Sequence, residues 1–454
     1  MKSSRQFQWS QAAQVVALGL CTFALCALLV SIPLGAPLRP EISSTLLGML
    51  IAGVALGRIA GFCYQSVLPV LLFAFAAVAS SLMSDFREQS MARSSTGIFL
   101  LAAFPAAQLV ISTSWSLRAF RGAASLVVLL VGIDFAAQAW FGASLLQGRS
   151  APIDRARYSG SLANPNEAAC LAIIAPLSMM GLRWGQTSTS RAWTVAHVLA
   201  MSLTSLFVSL LSGSRAMFIG VAAAIGAMTW LTRRSTVLWA VTIVIAVAGV
   251  AWLFDVGSIR QRVDDTLAYG DDWRPRVWNV AWYSFANASI PNQLLGQGPS
   301  VFFELHERTR TLSPSLGIEP APGGMPWVHC VPLEILCERG IVGFVLAAWI
   351  VFRVTRSLVH ALATSATRSA AIAISGAASA IATMSFVDLS LVKDWCLYLF
   401  ALVGGLACGL SNASTNGTSE GEVTSFSETP IESAEMRRSE PRGRGADRAT
   451  RVRA

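Results

Sequence analysis

Charge is what this chain has least of. Only 13% of its 454 residues are Asp, Glu, Lys or Arg, while 54% are hydrophobic and the mean hydropathy is +0.56. Soluble domains carry about 25% charged residues. An ordinary water-soluble fold is therefore excluded, and the long apolar runs read as bilayer spans. Metal-ligand spacing is lacking as well. There is no CxxC, no HExxH and no Asp/Glu/His cluster, so no metal site is expected, and no cofactor. The eight cysteines make no disulfide framework. Cys21, Cys26, Cys170, Cys396 and Cys408 lie in apolar runs; Cys330 and Cys337 would be separated on one helix by about 10.5 Å of rise, too far to bridge. The net charge of +9 comes from arginines scattered over short loops. No basic patch interleaved with aromatics occurs, so no nucleic-acid partner is expected. Internal repeats are not evident, and Asp134 is one acidic residue inside a span. Both weigh against a transporter or flippase, which would show repeats, interrupted helices and charges near the bilayer midplane.

What is present is a series of apolar runs. They predict an all-α polytopic membrane protein of about twelve transmembrane helices, over 12–34, 43–58, 62–83, 96–113, 122–141, 165–182, 192–211, 216–232, 236–254, 333–355, 369–388 and 394–410. The first run is too long for a signal-peptide core and is followed by many more, so it reads as an uncleaved helix. Arg58, Arg118, Arg121, Arg183, Arg191, Arg233, Arg234, Arg353, Arg356 and Arg368 all fall on one side if the N-terminus is inside, a positive-inside pattern. The expected domains are residues 1–254 with nine spans, 255–330 as one large outer loop, 331–410 with three spans, and 411–454 as a polar inner tail with too little apolar surface to fold alone. Structureless loops longer than about 15 residues are uncommon and are usually functional or disordered. The tight spacing of aromatics and glycines in 255–328 fits disorder poorly.

The polar motifs fall on the outer face. Arg155 and Arg157 lead into Asn164-Pro165-Asn166-Glu167 at a helix entry. That is either a plain cap or, through free N–H groups and the helix dipole, an anion site. Ser212-Gly213-Ser214-Arg215 joins two spans with almost no loop. Arg215 is then an interfacial functional residue or a lipid-bound snorkelling side chain. Arg274 and Arg276 flank a proline between Trp273 and Trp278. Planar guanidinium groups suit phosphate, and the tryptophans suit sugar stacking, interfacial anchoring or both. His329 sits where the loop re-enters the membrane. A neutral imidazole there can take a proton from a sugar hydroxyl, although a lone histidine is more often structural.

Arg274 to Trp278 as Arg-x-x-x-Trp, Gly296-Gln297-Gly298, and His329 followed by Glu338-x-Gly340-x-x-Gly343 form an ordered set that resembles the O-antigen ligase and polymerase superfamily. Gly160, Asn164-Pro165-Asn166 and Ser214-Arg215 fit the same order, and the resemblance covers roughly residues 95 to 410. Cys330 stands where members often have Asn, and Pro332 where they often have Tyr or another large residue. The resemblance implies a GT-C-like fold of about twelve helices with one large periplasmic loop. It also implies metal-independent, inverting glycosyl transfer at the periplasmic face of the bacterial inner membrane. The donor would be a glycan on undecaprenyl pyrophosphate and the acceptor lipid A–core. His329, Arg215 and Arg274 would be catalytic, and Arg157, Arg276, Asn164 and Asn166 would bind substrate. A polymerase is the alternative, ahead of a protein O-oligosaccharyltransferase or a polysaccharide transporter.

Overall fold

The computed structural model describes residues 2–34, 46, 48–55, 67–111, 113–150, 157–162, 164–182, 188–232, 273–316 and 327–416. The expected span 236–254, parts of 43–58 and 62–83, Arg155, the start of the large loop and the tail from 417 lie outside the described residues. Among the described residues the structure is helical; the one extended contact is an isolated bridge between Ala143 and Ser150. The helices are α1 (Lys2–Ser31), α2 (Leu68–Met83), α3 (Arg87–Leu101), α4 (Ala103–Val110), α5 (Ser114–Phe141), α6 (Cys170–Leu177), α7 (Ser188–Ser212) and α8 (Arg215–Thr232). They continue with α9 (Trp273–Ala286), α10 (Ile290–Leu295), α11 (Phe302–Leu316), α12 (Val331–Ala363), α13 (Arg368–Met384) and α14 (Asp394–Asn416).

Six helices among the described residues are long and apolar enough to cross a bilayer: Ala12–Leu34, Ser114–Phe141, Ala192–Ser212, Arg215–Thr232, Val331–Ala363 and Asp394–Ser411. Large apolar side chains face outward from them, Trp140, Phe141 and Trp230 among the most exposed. That is the surface of a helix bundle solvated by lipid, with aromatics near helix ends. The chain is a multi-pass membrane protein.

Where the expected spans differ from the helices, proline and glycine account for it. The run 96–113 divides into α3 and α4 at Ala102. Pro105 has no N–H to donate to the Leu101 carbonyl, and its ring crowds that carbonyl. The run 165–182 begins as a 3-10 turn (Pro165–Ala169) and continues as the short α6, every residue of which is buried. Helix α12 is broken at Gly340, whose φ of 65° and ψ of −170° are non-helical. The expected outer loop is largely helical where it is described, as α9 to α11.

Helices α8 and α13 make the most extensive pairing in the bundle, and small residues allow it. A Cβ on Gly220 would lie 2.5 Å from the Met384 sulfur, and one on Gly376 would lie 2.7 Å from Met228 Cγ. This pairing fixes height along the bundle. Gly220 of α8 is level with Met384, the last residue of α13. Arg215 lies five residues toward the N-terminus of α8, about 7.5 Å further along the axis. It therefore stands at the same end of the bundle as the turn that follows α13.

Candidate functional site

That turn carries Asp388. Its N–H donates to the Met384 carbonyl at 3.0 Å, so the turn continues directly from the helix. It is stitched to the start of α12 by two bonds. The Val331 N–H donates to the Ser385 carbonyl at 2.8 Å, and the Leu391 N–H donates to Glu334 Oε1 at 2.8 Å. Glu334 is fully buried and holds the Asp388 turn against α12. Pro332 occupies the first turn of α12, where its missing N–H costs nothing.

His329 precedes that helix start with φ 58°, the left-handed region that non-glycine residues rarely enter. Its Nδ1 lies 2.8 Å from Asp388 Oδ1. An ionised carboxylate only accepts, so Nδ1 carries the proton and Nε2 is the basic nitrogen. Both residues are nearly enclosed, at 6% exposure for His329 and 4% for Asp388. Burial pulls the His329 pKa below its ordinary 6.5, and Asp388 pulls against it without prevailing. The imidazole is therefore neutral at pH 7, held in one tautomer by a carboxylate.

Arg274 joins the same carboxylate, its Nη2 4.0 Å from Asp388 Oδ1. A second, smaller core fixes it there. Val277, Val280 and Ala281 of α9 pack with Val301, Phe302 and Leu305, and with Val328, Cys330 and Cys337. Val277 is one turn beyond Arg274, while Val328 and Cys330 flank His329. One apolar cluster thus sets the distance between the arginine and the histidine. Arg276, two residues on, is turned about 200° around the helix from Arg274 and is half-buried. Trp327 packs on His329 with ring centroids 5.6 Å apart, and Lys393 Nζ lies 4.7 Å from the Trp327 ring centroid.

The other expected residues form a second group. Arg157 donates from Nε to the Ser212 carbonyl at 3.0 Å and from Nη2 to Asn166 Oδ1. Asn164 caps the 3-10 turn, accepting from the Asn166 N–H at 3.0 Å and donating to Glu167 Oε1 at 3.2 Å. Arg157, Asn164 and Asn166 therefore build the seat of the α7–α8 connection. Arg215 begins α8 there and is exposed. So Arg274 and His329 meet at Asp388, whereas Arg157, Asn164 and Asn166 meet at the connection that leads into α8.

The glycine motifs have a structural explanation. The break at Gly340 leaves the Cys337 and Glu338 carbonyls without their usual partners on α12. Gln297 N–H supplies the first at 3.3 Å and Gly298 N–H the second at 2.9 Å, with the Ser80 hydroxyl also on Glu338 at 2.7 Å. The backbones approach too closely for side chains. A Cβ on Gly296 would lie 2.2 Å from the Glu338 carbonyl oxygen, and one on Gly340 would lie 2.4 Å from that of Leu294. The segment bearing Arg274 is thereby locked to the helix that follows His329. The buried Glu338 carboxylate pairs with its neighbour Arg339, whose Nη1 lies 3.4 Å from Oε2.

Cavities among the described residues lie elsewhere. One, of about 20 Å³, is lined by Phe73, Arg93, Pro299, Arg339 and Leu391 among others; another lies between α5 and α7. Neither has Arg215, Arg274 or His329 in its lining. Among the described residues no three or more His, Cys, Asp or Glu are grouped as a metal site would need.

Sequence reasoning missed Asp388, Glu334 and Lys393. Asp388 gave one usable signal: it is a carboxylate in the short polar segment Val387–Asp394, between two apolar helices on the face that holds His329.

Against known proteins, residues 200–348 match the family model described as O-antigen ligase. The match takes in Arg215, Arg274, His329 and the Gly296 and Gly340 interlock, and ends before Asp388. No curated protein matches the chain. Over residues 200–348 the chain is similar to this family, which supports its resemblance to the O-antigen ligase and polymerase superfamily.

Proposed function

We propose that the protein is an O-antigen ligase. It would transfer a glycan from undecaprenyl pyrophosphate to a lipid A–core sugar at the periplasmic face of the bacterial inner membrane. The observation that carries this reading is the buried His329–Asp388 pair with Arg274 beside it. Nε2 of neutral His329 accepts the proton of the acceptor hydroxyl as that oxygen attacks the anomeric carbon. Asp388 stabilises the imidazolium that forms. The bond to the pyrophosphate breaks on the opposite side, so one step inverts the centre. Arg215 and Arg274 hold the departing pyrophosphate and neutralise its charge; guanidinium groups suit this because they stay charged and bind bidentately. Arg157, Asn164, Asn166 and Arg276 line the donor side in this reading, the first three also shaping the connection that bears Arg215. No metal or cofactor is required.

A polymerase of the same superfamily would use the same chemistry on a different acceptor. Deleting the gene and running the lipopolysaccharide on a gel separates the two. Loss of all long chains from lipid A–core is expected for the ligase. A band of core bearing a single repeat would instead identify a polymerase. An unchanged ladder, with intact surface glycan, would overturn both.

A further inference from the structure

Of 34 basic Lys and Arg residues, only Lys2 and Lys393 are lysines. Lys393 is the residue immediately before α14, five positions after Asp388. Its ammonium lies 4.7 Å from the centre of the Trp327 ring, and that ring lies 5.6 Å from the His329 imidazole. The ammonium and the basic imidazole therefore lie against the same indole. Trp327 also has a buried indole N–H without a hydrogen-bond partner. Arg274 and Lys393 both bring positive charge toward the imidazole, and Asp388 brings negative charge.

We propose that Lys393 is a third cation of the site, binding the pyrophosphate of the lipid-linked donor, and that Trp327 is the platform that holds its ammonium there. The inference rests on the glycosyltransferase reading for the identity of the anion. An ammonium suits this position. It is a compact point charge with rotating donors, able to follow a phosphate as it moves away from the anomeric carbon. Cation–π attraction to the indole is strong enough to place it and too weak to neutralise it.

The test uses the purified full chain in nanodiscs, with farnesyl pyrophosphate as the probe and farnesol as its uncharged counterpart, read by isothermal titration calorimetry. Lys393→Met should weaken farnesyl pyrophosphate binding by about ten- to a hundredfold, the range of one charge-assisted contact, and leave farnesol unchanged. Lys393→Arg should bind within about threefold of the original, because charge and stacking survive. Trp327→Ala should resemble Lys393→Met, and the double variant should be no worse than either single one, since both remove the same contact. Equal binding by the original protein and Lys393→Met would overturn the inference and leave the transferase reading intact. Equal weakening of farnesol and farnesyl pyrophosphate would also overturn it, by revealing a structural role. Selective weakening in a protein that transfers no glycan would keep the anion site and remove the transferase reading.

Discussion

Asp388→Asn keeps the shape of the side chain and removes its charge, so it isolates what the carboxylate does. In the native site Asp388 Oδ1 lies 2.8 Å from His329 Nδ1 and 4.0 Å from Arg274 Nη2, in surroundings closed to water. Two unit charges about 4 Å apart interact by about 4 kcal/mol at an effective dielectric of about 20. That interaction exists only once His329 has taken the acceptor proton, so it acts on the barrier rather than on binding. Its loss should lower kcat by about a thousandfold, with the donor KM changed far less. An asparagine amide can also donate to Nδ1 and trap the wrong tautomer, which deepens the loss. The pH profile gives an independent reading. Neutral His329 is the active form, so kcat/KM should rise with pH through an inflection below 6.5 in the native enzyme, because burial holds the pKa down. Asp388 raises that pKa; without it the inflection should move to still lower pH. The assay is transfer from a purified lipid-linked donor across a pH series. Full activity in Asp388→Asn, or an inflection that moves upward, would refute the role of the pair.

Three further outcomes are expected. His329→Ala should lose about a hundred- to ten-thousandfold in kcat while donor binding, measured by calorimetry, stays near normal; near-normal turnover would remove His329 as the base. Arg215→Lys and Arg274→Lys should each still cut activity strongly, since lysine keeps the charge and loses the bidentate fork; full activity in both would mean that bulk charge suffices. Gly340→Ala should destabilise the fold by at least about 2 kcal/mol, combining a left-handed backbone with a Cβ 2.4 Å from the Leu294 carbonyl oxygen; a melting temperature equal to the native one would refute the interlock.

Much of the bundle was legible because lipid imposes a simple rule: spanning segments are long and apolar. Ser114–Phe141, Arg215–Thr232 and Val331–Ala363 follow from that rule alone. What it could not deliver was the large outer segment. A reading tuned to apolar runs passes over α11, yet the spacing was there: Phe302, Leu305, His306 and Thr309 are all buried, at i, i+3, i+4 and i+7 of one helical face. The break at Gly340 was likewise hidden, because a lone glycine in an apolar run looks tolerable until the carbonyls it frees are seen to bond Gln297 and Gly298.

The site divides along a similar line. His329 and Arg274 were found because each stands out in its own local sequence. Asp388 was not, because its meaning lies in a contact across 59 residues made by two neighbouring helix ends. The same contact changes what the motifs mean. The Gly296-Gln297-Gly298 and Glu338-x-Gly340 elements have their backbone atoms spent on one another: the Gln297 and Gly298 N–H groups on the Cys337 and Glu338 carbonyls. They hold the segment that carries Arg274 against the helix that starts beside His329, and Glu334 holds the turn that carries Asp388 to that same helix. Two chain segments far apart in sequence are thus tied to the first three turns of α12. The chemistry needs His329, Asp388 and Arg274 within a few ångströms of one another. A substitution at Gly296, Gly340 or Glu334 should therefore cost activity through lost geometry, even though none of them need touch the substrate.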